Sequence, residues 1–379
     1  MFDFWGRPRT IDQPIRDRKI SWLELFYDLI FAVVLARLTD GVLANWSWST
    51  LGAATLLFWW FFWGWNETSS YFDNHGNGAP LNVVMINLQM ILTGIGALFI
   101  DEALRGHFNK ITLVLMSIEL LAAGIWYWVA YFDPIHRAAS TVWANVHLVA
   151  LALLGLSLFL PHWGQLGLLV LALLLNWGDI FFTNPNLERE YQQTEMVHQL
   201  KDSLIERYGL LTMIALGEII AGLSTALAGK DSGSEILTFS LSIVLVALIS
   251  GSYYQIIGEL HLRFSSSIRA LATGWLFIGE IFLIFLLGLS LHFLLERATL
   301  AIKLIFVGLI FATLMVMWLI ELIAEWRQSL QWGAALRFKG MVLFALVLAA
   351  WLPRLGLLVV TDLVLALVII HGRRRIKRA

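Results

Sequence analysis

The sequence predicts an all-α, polytopic transmembrane bundle of about twelve spans. Composition is the first reason. Of 379 residues, 59% are hydrophobic and 14% charged, against about 25% charged in ordinary soluble domains. Patterning is the second: the apolar residues fall in stretches of about 20, the length that crosses a bilayer core. The third is the set of eighteen tryptophans, which suits interfacial belts. Mean hydropathy is +0.75. There is no cysteine, so disulfides and Cys-ligated metals are excluded. The first apolar run begins near Ile20 with no small-residue cleavage site, so no cleavable signal peptide is read.

The tail from Met1 to Lys19 holds Arg7, Arg9, Arg16, Arg18 and Lys19 and reads as cytoplasmic. Spans are expected near 20–42, 48–68, 81–101, 111–132, 141–160, 163–183, 207–228, 235–258, 269–294, 299–323, 336–352 and 354–371. The last two are short and joined by Leu352-Pro353-Arg354, so a re-entrant hairpin is the alternative there. With the N-terminus inside, nineteen Lys and Arg fall in tails and inner loops and six in outer loops. That excess favours both termini on the cytoplasmic side and an even number of spans. The C-terminal run from Arg373 to Arg378 acts with it as a stop-transfer anchor, or touches anionic lipid heads.

A polar segment from Asn184 to Glu206 divides the chain into a six-helix half over 1–190 and another over 191–379. Glu24-Leu25-Phe26 parallels Glu206-Arg207-Tyr208, and Asp73-Asn74-His75 parallels Glu259-Leu260-His261. Even-numbered halves would make a parallel repeat about an axis along the membrane normal.

Intramembrane acids are the functional candidates, because each costs roughly 2.5–3.5 kcal/mol at the bilayer centre unless it meets protein, water or a cation. Glu24 and Asp28 lie one turn apart on one face of the first span. Arg37 is on the opposite face and does not neutralise Asp28 along that helix. His198, Asp202 and Glu206 follow at i, i+4, i+8, then Arg207, with Glu218 eleven residues on and on nearly the same face. Glu119, Asp179, Glu280 and Asp362 also fall in spans, with Asn87, Gln89, Asn145, His147 and Asn176 as polar companions. Each of these acids has a plainer reading, an internal pair that locks the bundle. Asp73, His75, Glu259 and His261 have no diagnostic metal spacing. The aromatic run from Phe58 to Trp65 reads as packing or lipid contact rather than a cation–π path.

The stretches Glu24-Leu25-Phe26-Tyr27-Asp28-Leu29-Ile30-Phe31 and His198 with Glu206-Arg207-Tyr208-Gly209-Leu210-Leu211-Thr212 and Leu216-Gly217-Glu218 resemble the bacterial low-temperature-requirement A (LtrA) family. The resemblance covers nearly the whole chain and implies a polytopic membrane protein named for a cold-growth phenotype, hence a link to stress response. It implies little about molecular activity. Phe26-Tyr27-Asp28 is also faintly similar to the Arg-x-x-x-Phe-Ser-Asp motif of a two-repeat channel family. Trp22 stands where that motif has Arg, and Tyr27 where it has Ser.

Loops for phosphate, zinc-protease and serine-hydrolase chemistry are missing, no nucleic-acid partner is indicated, and no cofactor is assigned. The leading expectation is a transporter or channel for an ion, proton or small solute in the lipid bilayer, using Glu24, Asp28 and Glu218. His198, Glu206 and Arg207 are placed beside them, with Asp73, His75, Glu259, His261, Glu280 and Glu119 as secondary candidates. Two other readings stay open. One is an intramembrane acid–base or lipid-modifying enzyme built on His198, Glu206 and Glu218. The other is a non-catalytic scaffold or stress sensor whose acids only pair internally.

Overall fold

A computed structural model describes residues 6–12, 18–194, 198–229, 232–258, 262–323 and 332–376, the last with backbone alone at 332–335 and 373–376. Its regular elements are all helices. In order they are α1 (Trp22–Ala44), α2 (Trp48–Asn74), α3 (Pro80–Leu98), the short α4 (Ile100–Leu104), α5 (Asn109–Phe132), α6 (Arg137–Ser157), α7 (His162–Trp177) and α8 (Asp179–Thr194). Then come α9 (Asp202–Leu227), α10 (Gly233–Ile257), α11 (Ser267–Glu296), α12 (Leu300–Ile323), α13 (Trp332–Ala349) and α14 (Arg354–Ile376).

Each of the twelve predicted spans overlaps a helix, the one near 163–183 straddling α7 and α8, and apolarity alone marks fewer than twelve. Among the described residues, nine helical segments are long and apolar enough to cross a membrane. Outside that set are α1, α2 and α13. Glu24, Asp28, Arg37 and Asp40 make α1 too charged. In α2, Asn66 to Ser70 dilute a segment whose tryptophans are themselves only weakly apolar. The side chains of α13 are described only from residue 336.

The chain divides into two compact units. Unit 1 is Met1–Arg207 with Ser265–Leu271, and unit 2 is Tyr208–Phe264 with Ala272–Ala379. In unit 1, α1 packs on α2 and α3, α2 on α5, and α5 on α6, which carries α7 and α8. In α1 the buried face runs Glu24, Tyr27, Asp28, Phe31, Val34, Leu35, Leu38, Val42, a helical period that puts both acids on the packed side. Gly64 in α2 is needed for close approach: a Cβ there would stand 3.3 Å from both Gln89 of α3 and Ile118 of α5. In unit 2, α10 packs on α12 and α14, and α13 on α14. Tyr208 stacks on Phe277 of α11, with ring centroids 4.7 Å apart.

The N-terminal segment does more than supply topological charge. The Arg9 guanidinium donates to the carbonyls of Asp73 and Gly76 at the end of α2, at 2.9 and 2.7 Å. A cation there satisfies open carbonyls and complements the negative end of the helix. Arg37 pairs with Asp101 of α4 at 3.3 Å, away from Asp28.

Candidate functional site

The first acid of α1 is built into the start of the helix. Ser21 caps it, and the Ser21-Trp22-Leu23-Glu24 sequence closes a capping box. The Ser21 amide and hydroxyl donate to Glu24 Oε2 at 3.1 and 2.8 Å. Arg18 Nη2 donates to the other oxygen at 2.6 Å. One turn further, Asp28 accepts from the Trp65 indole at 2.7 Å and from Arg207 Nη2 and Nε at 2.5 and 3.2 Å. The guanidinium also lies over the Trp65 ring, 5.1 Å from its centroid, a cation–π contact. Arg207 Nη1 stands 3.6 Å from Glu24 Oε1. Glu24, Asp28 and Arg207 are at most 2% exposed. Two carboxylates therefore share two guanidiniums, so the charges balance and each acid has a directed partner.

Beside this network lies a half-open cavity of about 340 Å³. Arg18, Lys19, Ser21, Glu24, Asn77 and Asn82 give it a polar wall, with Phe72, Val83 and Ile86 opposite.

A second polar group gathers at the end of α2. Asp73 receives the Ser203 hydroxyl, and Arg18 Nη1 is 3.6 Å from it. Lys201 Nζ donates to the Asp73 carbonyl at 2.9 Å. His75 is fully buried, with Nδ1 2.8 Å from the Arg9 carbonyl and its ring 5.0 Å from that of His136. Burial, helped by His136, Lys201 and Arg9 nearby, holds the His75 imidazole well below its ordinary pKa of 6.5. Burial likewise lowers Lys201, against the pull of Asp73. Of the four metal candidates, Asp73 and His75 sit here, while Glu259 and His261 lie outside the described residues. Among the described residues no group of three or more His, Asp and Glu is arranged to hold a metal ion.

The third group joins residues that the sequence named singly, Glu119, His147, Asn176 and Asp179, to Glu67, which it did not name. His147 Nδ1 is 2.7 Å from Glu119 Oε2, and its Nε2 is 3.4 Å from Glu67 Oε2. Asn176 donates to Glu119 Oε1 at 2.8 Å, and the Trp126 indole to Glu67 Oε2 at 2.9 Å. Asp179, which follows the break at Gly178, is buried and feels the charges of Glu67, His147 and Glu119.

The other candidates separate from these groups. Glu206 is exposed, although its neighbour Arg207 is buried, because adjacent helical residues point about 100° apart. His198 stacks on Tyr191 with centroids 4.0 Å apart and lies 3.3 Å from Glu188, not against Glu206. In unit 2, Glu218 is half-buried midway along α9. Glu280 is fully buried, and neither oxygen has a hydrogen-bond partner among the described residues; the same holds for the Asp362 carboxylate.

Sequence reading missed Arg18, Trp65 and Glu67 as working residues. Arg18 was counted as a tail charge, although the Ser-x-x-Glu signature beside it announces a helix start. Trp65 was absorbed into an aromatic run, and nothing in the sequence separates it from its neighbours. Glu67 lies inside the predicted span 48–68, next to its end, and was not counted among the intramembrane acids.

No curated protein and no solved structure matches the chain. The family model described as bacterial low temperature requirement A protein (LtrA) matches residues 19–370, a range that contains α1, the Arg207 helix and nearly all the rest. The chain is thus an integral membrane protein of many apolar helices, and it belongs to the bacterial LtrA family.

Proposed function

We propose that this protein is a transporter or channel for an ion or small solute, set in the bacterial cytoplasmic membrane with both termini inside. One observation carries the reading: Glu24 lines the half-open cavity of about 340 Å³, and Glu24 is tied through Arg207 to Asp28. A purely structural ion pair has no need of such access. Glu24 divides its charge between Arg18 and Arg207, so a cation entering the cavity competes with Arg18 for the same oxygen. A cation bound at that oxygen repels the Arg207 guanidinium and so couples the cavity, through Arg207, to Asp28. Glu218, on the continuation of the same helix, is the next group on which we expect the solute to depend.

The test is flux in proteoliposomes loaded with proton- and cation-sensitive dyes, for the intact protein, Glu24→Gln and Glu218→Gln. Loss of flux in still-folded Glu24→Gln is the expected result. Undiminished flux in both variants overturns the reading. The pairing of Glu24 and Asp28 with guanidiniums favours a second reading, a scaffold held together by its own acids; that reading predicts no flux from any variant and a stability loss on breaking the pairs. The enzyme reading gains no support, because His198 and Glu206 are not in contact.

A further inference from the structure

Inside unit 1, five helices direct polar side chains to one point. Glu67 comes from α2, Glu119 from α5, His147 from α6, Asn176 from α7 and Asp179 from the start of α8. Glu119, His147 and Asp179 are at most 5% exposed. Two carboxyl groups, of Glu119 and Glu67, thus stand beside one imidazole, and buried Asp179 is near enough to interact with all three. No lysine or arginine pairs with any of them among the described residues. If every acid were ionised and the imidazole charged, the cluster would carry two uncompensated negative charges away from water. That state is costly enough for protons to be taken up instead.

A second, independent feature points to an occupant. His147 Nε2 is buried and makes no hydrogen bond among the described residues, and neither does Asn176 Oδ1. His147, Glu67 and Glu119 line a cavity of about 10 Å³, room for roughly one water. Thr68, Gln89 and Tyr71 add to the polar lining, with the Thr68 hydroxyl donating to the Gly64 carbonyl at 2.9 Å and the Tyr71 hydroxyl to Asn82 at 2.7 Å. The imidazole is held on one side by Glu119 and leaves its other nitrogen toward the cavity and Glu67.

We propose that Glu67, Glu119, His147 and Asp179 form an exchangeable proton-binding site, with a water in the cavity joining His147 Nε2 to Glu67. The proton moves among a carboxyl oxygen, the water and the imidazole nitrogen, so no other co-reactant is required. This site is separate from the Glu24–Arg207–Asp28 network, and its existence does not depend on the transport reading.

The experiment is infrared difference spectroscopy of the purified full chain in lipid, stepped across pH in ordinary and heavy water. It is done in a Glu280→Gln/Asp362→Asn background, which removes the two carboxyl groups of unit 2 that would absorb in the same region. The expected result is a carbonyl band of protonated carboxyl that changes with pH and shifts in heavy water. Asp179→Asn and Glu67→Gln, each close in shape to the original, are expected to lose part of it. His147→Gln, which removes the one basic group of the cluster, displaces its midpoint. Circular dichroism checks that each variant keeps its helices. A parent protein with no such band, or with one indifferent to pH and heavy water, overturns the proposal whether or not the variants fold. A pH-dependent band untouched by all three substitutions overturns it as well.

Discussion

Glu24 and Asp28 of α1 and Glu280 and Asp362 of unit 2 are all buried, yet they are treated in opposite ways. Asp28 has an indole and a guanidinium directed at it, and Glu24 has Arg18, Arg207 and Ser21. Glu280 and Asp362 have no hydrogen-bond partner for either oxygen among the described residues. A carboxylate can remain charged in an apolar bundle only with compensation. The contrast therefore teaches that the acids of the first α1 turns are built to be charged, whereas Glu280 and Asp362 are built to be neutral. It can be broken at either end.

The largest effect is expected at Arg207. Arg207→Leu leaves Asp28 buried without its cation, a change that costs about 3–5 kcal/mol. The measurement is thermal unfolding in detergent with the monodisperse fraction after heating. Asp28→Asn/Arg207→Gln removes both charges and should recover part of the loss. If Arg207→Leu melts with the parent, the two residues are not partners and the contrast fails.

Trp65→Phe is the next step down. It keeps an aromatic face under the guanidinium but deletes the indole N–H that serves Asp28. A hydrogen bond to a charged group is worth about 1.5–3 kcal/mol, so the melting temperature falls by less than for Arg207→Leu. An equal fall would mean that the ring face, not the N–H, is the important part.

The end of α2 gives a pH-dependent version. His75 is buried with its pKa held well below 6.5, so between that lowered value and 6.5 the unfolded chain binds more protons than the folded one. Stability therefore rises with pH across this window and falls on acidification, with a slope of at most about 1.4 kcal/mol per pH unit from one group. His75→Gln should make the acid-side decline shallower. An unchanged decline would assign it to other groups.

How much of this could be read in the sequence depends on the distance between partners. Helical period alone put Glu24 and Asp28 on one buried face, and apolar run lengths placed every span on a helix. The partner of Asp28 lies 179 residues away, and period carries no information about which helices become neighbours. Arg207 was singled out, yet as a companion of Glu218 along its own helix. Among the described residues, apolarity alone marks fewer than twelve helices for the same reason that the site was found: α1 and α2 contain the charged and polar residues that make them interesting, and those residues lower their apolarity. His147 was noticed only as one polar residue among several. Its importance comes from three acids on three other helices, a convergence that exists only after packing.

The smallest expected effect tests the other side of the contrast. Glu280 is wholly buried in unit 2 with both oxygens unpartnered among the described residues. An unpaired buried polar group costs about 1–3 kcal/mol by mutational measures. Replacing it by an apolar side chain of similar length removes that cost but forfeits some fit. Glu280→Met should therefore be neutral or stabilising by about 1 kcal/mol, while the same change at Asp28 is strongly destabilising. A stable Glu280→Met protein that has lost flux would show that the acid is kept for work rather than for folding, since nothing in its packing repays its presence. A destabilised Glu280→Met protein would instead mean that Glu280 is charged and compensated, and the division between the two units would be lost.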